Sequence, residues 1–262
     1  MPHVELNDAR LHYRWDGPEH APALLLANSL GTDLNLWQAQ IDVLAERYRV
    51  LRYDCRGHGQ SDVTPGPYTM DQLGRDALAL LDIFKVDRAH FCGISMGGMI
   101  GMWLAIHAAD RIDRLVLCNT SAYIGPPSVW DSRIEAVEQG GMEAVVDAVL
   151  GRWFTSGYRS QTPAAVEQVR AMLLATPPQG YAACSAAIRD MDQRESVSAI
   201  DRPTLVITGT DDQSTPPSDG QYLVERIKGA EYQEFDVAHL SNIEQSQRFT
   251  DTVLNFLGRE SG

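Results

Sequence analysis

The sequence predicts an α/β protein: a mostly parallel central sheet flanked by helices, with one helical segment inserted late in the chain. Three observations predict it. Continuous apolar runs recur at residues 23–27, 50–53, 90–93, 115–118 and 204–208, as in strands covered on both faces. Stretches with apolar residues three and four apart fill the intervals between the early runs, which marks helices. Strand alternating with helix implies parallel pairing through right-handed crossovers.

The elements follow in order. Residues 4–7 and 10–15 alternate apolar and polar, like an antiparallel hairpin turning near Asn7 and Asp8. After the first apolar run, residues 34–46, 70–84 and 96–109 carry helical spacing. The alternation fails between about Ser121 and Ser196. Four helix-like pieces lie there instead, at 128–138, 141–153, 163–174 and 179–191, separated by turns such as Gly140-Gly141 and Pro177-Pro178. Residues 121–196 are therefore expected to form a helical cap, and residues 1–120 and 197–262 the core. Alternation resumes with strand 204–208, helix 221–227, strand 232–235 and helix 243–257.

Bulk composition narrows the function. The chain has 262 residues, 44% of them hydrophobic and 22% charged, the balance of an ordinary folded protein. Its formal net charge of −13 argues against a nucleic-acid partner, which needs a basic face. An anionic substrate would have to be met by local arginine or lysine. No apolar run approaches the roughly 20 residues that span a bilayer, so no membrane association is expected. The four cysteines, Cys55, Cys92, Cys118 and Cys184, form no metal-binding spacing. They suit buried thiols in a reducing cytoplasm.

The chemistry concentrates in Gly93-Ile94-Ser95-Met96-Gly97. It fits G-x-S-x-G, with an apolar strand leading in and a helix leading out. A sharp strand-to-helix turn lifts the serine hydroxyl above the strand end, and the small residues let the two elements pass closely. A serine hydroxyl needs a base. After Ser95 the chain has two histidines, His107 and His239. His107 lies about three turns along the helix that leaves the serine and cannot fold back. His239 follows the strand at 232–235, on a loop that can reach the same sheet edge. The acid belongs on the loop after 204–208, where Asp211 and Asp212 compete. Two backbone N–H groups should bind the oxyanion: that of Met96, after the nucleophile, and that of Leu30, on the loop after the first apolar run. The turn Asp54-Cys55-Arg56-Gly57-His58-Gly59 lacks the Lys-Ser/Thr of a phosphate loop. His58 precedes Ser95, the wrong order for the base, and the segment reads as structural.

On these residues the chain resembles the α/β-hydrolase family over nearly its whole length and, within it, the 3-oxoadipate enol-lactonases. The finer resemblance rests on Asn28-Ser29-Leu30-Gly31-Thr32-Asp33, on the serine segment through Gly101, and on Ala238-His239-Leu240-Ser241-Asn242-Ile243-Glu244-Gln245. Many hydrolases of the family carry His-Gly where this chain has Asn28-Ser29, a departure that the lactonases share. The resemblance implies an α/β-hydrolase fold and places the acid on Asp212 in Gly209-Thr210-Asp211-Asp212. It implies a small anionic lactone as substrate, hydrolysed to 3-oxoadipate in aromatic catabolism without metal or organic cofactor. The lactone's free carboxylate needs a cation, and Arg133 is the candidate. It lies three residues after Trp130, on one face of the first cap helix. Trp130 and Trp153 could wall the ring. Two other readings stand beside this one: a carboxylesterase or C–C bond hydrolase on the same scaffold, and a hydrolase-like ligand-binding protein. A complete Ser, acid and His set argues against the latter.

Overall fold

The computed structural model describes residues 2–259. The chain opens with β1 (His3–Glu5), β2 (Arg10–Asp16) and β3 (Ala23–Ala27), then a 3₁₀ turn (Leu34–Trp37) that runs into α1 (Gln38–Leu44). Next come β4 (Arg49–Tyr53), α2 (Met70–Ile83), β5 (Ala89–Ile94), α3 (Met96–His107) and β6 (Ile112–Cys118). Five helices follow without a strand: α4 (Pro127–Gly140), α5 (Val146–Trp153), α6 (Ser156–Gln161), α7 (Pro163–Ala175) and α8 (Pro178–Asp190). The chain closes with β7 (Thr204–Gly209), α9 (Pro217–Arg226), β8 (Glu231–Phe235), α10 (Ser241–Glu244) and α11 (Ser246–Leu257).

The strands form one eight-stranded sheet in the order β1-β2-β4-β3-β5-β6-β7-β8. β1 and β2 pair antiparallel, as the alternating N-terminus predicts, and β2 meets β4 antiparallel. Every pairing from β4 to β8 is parallel. The middle strands β5 and β7 are buried along their whole length, because helices cover both faces, whereas edge strand β8 is half exposed. Helix α3 is buried from Met96 to Ala105, so its sequence is apolar all round instead of amphipathic. Helix α11 is amphipathic and turns Phe249, Val253, Phe256 and Leu257 inward.

The Asp54–Ser61 turn ties the early elements together. Buried Arg56 makes a bidentate pair with Asp76 of α2, at 2.7 and 2.8 Å, and a second with Asp8. Asp54 accepts the Leu34 and Gln60 N–H groups and pairs with His12. All four cysteines are buried and free.

Several boundaries differ from the expected ones. The helix expected at 141–153 is a 3₁₀ turn (Met142–Ala144) followed by α5, broken at Val145 with φ −121° and ψ −20°. The six-residue α6 goes unmarked by periodicity because it spans fewer than two turns. The C-terminal helix starts at Ser241 and breaks at Gln245, with φ −127° and ψ 55°. Helix α9 starts at Pro217, four residues before the expected 221, with proline in the first turn where its missing N–H costs nothing.

Candidate active site

Ser95 sits between β5 and α3 with φ 57° and ψ −119°, a strained state for a residue with a side chain. Neighbouring bonds hold it there. Its N–H donates to the Cys118 carbonyl at 2.9 Å, and its carbonyl accepts from Thr120 Oγ1 at 2.7 Å. Gly97 is required by space: a methyl there would overlap the Ala27 carbonyl, so β3 and α3 could not approach.

Beyond β7 and β8, two loops meet. The buried His239 Nδ1 donates to Asp212 Oδ2 at 2.8 Å. Asp212 also accepts Thr215 Oγ1 at 2.8 Å and Asn119 Nδ2 at 3.1 Å on Oδ2, and the Ser214 and Thr215 N–H groups on Oδ1. Burial pushes this carboxyl up, but the adjacent His239 and the hydrogen bonds outweigh it and hold Asp212 below the ordinary carboxylate range. Asp211 is exposed and takes no part. Ser95 and His239 line one cavity without a hydrogen bond between their side chains. Such bonds commonly tighten only around substrate.

Leu30, after β3, lines that cavity, and Met96 follows Ser95 at the start of α3; both are buried. Among the described residues, no hydrogen bond uses either N–H. The cavity, about 490 Å³, suits a small ligand. Trp130, Arg133 and Trp153 all line it. The Arg133 guanidinium lies 4.5 Å from the Trp130 ring centroid, and the buried Tyr181 lines the cavity beside it.

Three lining or supporting residues escaped the sequence reading. Arg152 of α5 faces the cavity, and burial, then repulsion from Arg133, pulls its pKa down. Neither Arg133 nor Arg152 has a carboxylate partner among the described residues, although most arginines of this acidic chain do. Asn119, buried at the end of β6 with φ 44°, donates to both Asp212 and the Ala238 carbonyl and accepts from Ser241 Oγ at 2.6 Å. A polar residue directly after a buried parallel strand is the signal that could have found it, since ligands bind at that sheet edge. Asp219, in the first turn of α9, lines the cavity too, and burial and then nearby Asp212 push its carboxyl up to about 6. No cluster of three or more His, Cys, Asp or Glu side chains able to hold a metal occurs among the described residues. No helix there is long and apolar enough to cross a membrane.

A serine on a strand-to-helix turn, beside a carboxylate-bound histidine at the carboxyl edge of a parallel sheet, is the arrangement of one large class of hydrolases. The chain belongs to the alpha/beta hydrolase fold family, whose model matches residues 22–246. It is 41% identical to 3-oxoadipate enol-lactonase 2 of Acinetobacter baylyi over 94% of this chain and 92% of that one. It is 40% identical to 3-oxoadipate enol-lactonase 1 of the same organism, over 92% and 91%. The crystal structure of the enol-lactonase from Burkholderia xenovorans LB400 matches with a TM-score of 0.97 at 47% identity, covering 98% of this chain and 100% of that one.

Proposed function

We propose that the chain hydrolyses 3-oxoadipate enol-lactone to 3-oxoadipate, with Ser95 as nucleophile, His239 as base and Asp212 as the acid of the triad. The observation that carries it is the cavity. It joins Ser95 and His239 with two guanidiniums that have no carboxylate partner among the described residues, in a chain similar to enol-lactonases. Residues 121–196 act as the cap and supply the cavity walls Trp130, Arg133, Arg152 and Trp153.

Ser95 Oγ attacks the ring carbonyl carbon while His239 Nε2 takes its proton. Asp212, bonded to Nδ1, holds the ring tautomer and stabilises the imidazolium. The Leu30 and Met96 N–H groups bind the developing oxyanion, a contribution of roughly 3–4 kcal/mol for each donor. The ring C–O bond breaks, and the enol oxygen leaves with a proton from His239, still tethered to the acyl-enzyme. Ketonisation removes the group that would otherwise reclose the ring. Water activated by His239 then releases Ser95. Arg133 and Arg152 hold the free carboxylate, which is why a strongly acidic protein accepts an anion.

The test is loss of the enol-lactone on adding purified protein, beside the Ser95→Ala variant. Fast turnover that vanishes in the variant is expected. A folded protein that cleaves activated esters and leaves the lactone untouched would overturn the substrate and retain the triad. Arg133→Ala and Arg152→Ala should each raise KM at least tenfold for the acid, and far less for its neutral methyl ester. Equal effects on both substrates would remove the arginines from carboxylate binding.

A further inference from the structure

His58 has no role in the chemistry above, yet it is fully buried one loop away from it. Its Nε2 accepts the Gly31 N–H at 2.8 Å, and its Nδ1 meets the Arg56 carbonyl at 3.2 Å. These two partners define the neutral ring with its proton on Nδ1. Gly31 directly follows Leu30, the oxyanion donor.

The Leu30 N–H lies in the peptide before Leu30, and the peptide after it fixes where the Leu30 Cα, and so the loop that carries that N–H, is held. The first of these peptides joins the Ser29 carbonyl to that N–H, and in a planar trans peptide the two point in opposite directions. Thr32 holds the Ser29 carbonyl from one side, through its N–H at 3.2 Å and its Oγ1 at 2.7 Å. The second unit joins the Leu30 carbonyl to the Gly31 N–H. Gly31 has φ +81° and no side chain to resist rotation, so this unit is the joint most free to turn. His58 supplies the acceptor that its N–H meets. From the other side, Thr176 Oγ1, between α7 and α8, donates to the Gly31 carbonyl at 3.0 Å.

We propose that His58 is a positioning residue of the oxyanion hole: its unprotonated Nε2 anchors the loop at Gly31, as Thr32 anchors it at Ser29, and so holds Leu30 in place with its N–H aimed at the substrate carbonyl. The role rests on the serine-hydrolase reading of Ser95 and Leu30, and holds for any ester the site accepts. The environment favours the accepting form of the ring. Burial lowers the His58 pKa, against the Arg56 carbonyl and Asp54, which favour protonation. From α8, Cys184 Sγ stands 3.9 Å from Nδ1.

Two substitutions separate the two ring nitrogens. His58→Gln carries an amide oxygen to about the Nε2 position and can still accept from Gly31. His58→Asn reaches only as far as Nδ1, keeping the Arg56 bond and losing the Gly31 acceptor. Each is assayed on the enol-lactone and on p-nitrophenyl acetate, with the inhibition constant of phenylboronic acid as a measure of tetrahedral-adduct binding. His58→Asn is expected to lower kcat about 10- to 100-fold on both substrates, somewhat less than outright loss of an oxyanion donor. Its KM should stay within about threefold while boronate binding weakens by a factor similar to the kcat loss. His58→Gln should keep kcat within about threefold even where both variants melt at a similarly lowered temperature. Equal kcat losses in the two variants, or an effect on KM in place of kcat, would overturn the role. If His58→Asn does not fold, ¹⁵N spectra of imidazole-labelled wild type decide instead. The His58 Nε2 signal should be that of an acceptor and should move when the boronate adduct forms, and a signal that stays fixed would refute the coupling. A wild type that cleaves the acetate and spares the lactone discards the substrate while leaving this comparison intact. A wild type that cleaves neither overturns the hydrolase reading and this role together.

Discussion

Asp212 accepts five hydrogen bonds, and that number sets what its replacement should do. Asp212→Asn keeps the shape but loses the acceptor that selects the His239 tautomer, so kcat should fall by roughly 10⁴-fold in a folded protein. Stopped-flow assays with circular dichroism would check both halves. Asn119→Ala removes two donors and an acceptor that tie the acid to the base loop, and should lower kcat about tenfold while Ser95 stays reactive to a fluorophosphonate. Asp219 makes a pH prediction. Its carboxyl titrates near 3.8 when unfolded and near 6 when folded. The native state therefore binds the proton more tightly, and stability is lost as pH rises from about 4 to about 6. Asp219→Asn should raise the melting temperature at pH 7 and leave it unchanged at pH 3.5; a gain at both would sink this account. Chain order and flanking elements pointed to Ser95 and His239, which the structure brings to one cavity, whereas they left the choice between adjacent aspartates open. Periodicity cannot say which of two neighbouring loop carboxylates turns inward. The turn does, with the Asp212 N–H on the Gly209 carbonyl and the Asp211 N–H on Val237.

Elements were legible wherever the local signal and the tertiary demand agree. β3, β5, β6 and β7 are read directly from apolar runs, since burial on both faces favours apolar residues along most of each strand. The C-terminal helix was not, because helical spacing continues through Gln245 while the backbone breaks there. The break follows α10, whose last residue, Glu244, bonds the Ala238 N–H at 3.0 Å and the N–H and hydroxyl of Thr155. Thr155 is distant in sequence, Ala238 lies outside the helix, and neither leaves a periodic trace. The close passage of β3 and α3 gives this scale its own test. Gly97→Ala should destabilise the protein by about 3 kcal/mol, since the obstructing atom is a strand carbonyl that cannot swing aside. Urea unfolding would measure it, and a loss below about 0.5 kcal/mol would show that the helix can shift.

Over the whole molecule, a net charge of −13 opposes an anionic substrate at long range, while the proposed role of Arg133 and Arg152 in the cavity is to attract it at short range. Salt separates the two. Raising ionic strength from about 10 to 150 mM shortens the screening length from roughly 30 to 8 Å, which weakens the surface field before it weakens half-buried guanidiniums. For the lactone, kcat/KM should therefore rise with salt, and for a neutral ester it should stay flat. A fall for the lactone would mean that the arginines dominate the approach as well as the binding. Composition alone could anticipate the need for local cations. It could not anticipate Arg152, which meets Arg133 only because α4 and α5 fold onto the same opening.

The carbonyl of Trp153 accepts the N–H groups of both His239 and Leu240 at 3.2 Å, while its indole lies on the cavity wall. Side chain and main chain at this one position thus both bear on His239, whose ring centroid lies 5.7 Å from that of the indole. Exchanging the indole for a ring of similar size leaves the carbonyl where it is, so an engineer can reshape the pocket at residue 153 and keep the two main-chain bonds to the His239 loop, provided the new ring still packs on the imidazole. Transplanting the helices wholesale from a distant relative has no such protection. The graft must bring a carbonyl to that same point, or the new specificity arrives with a histidine adrift.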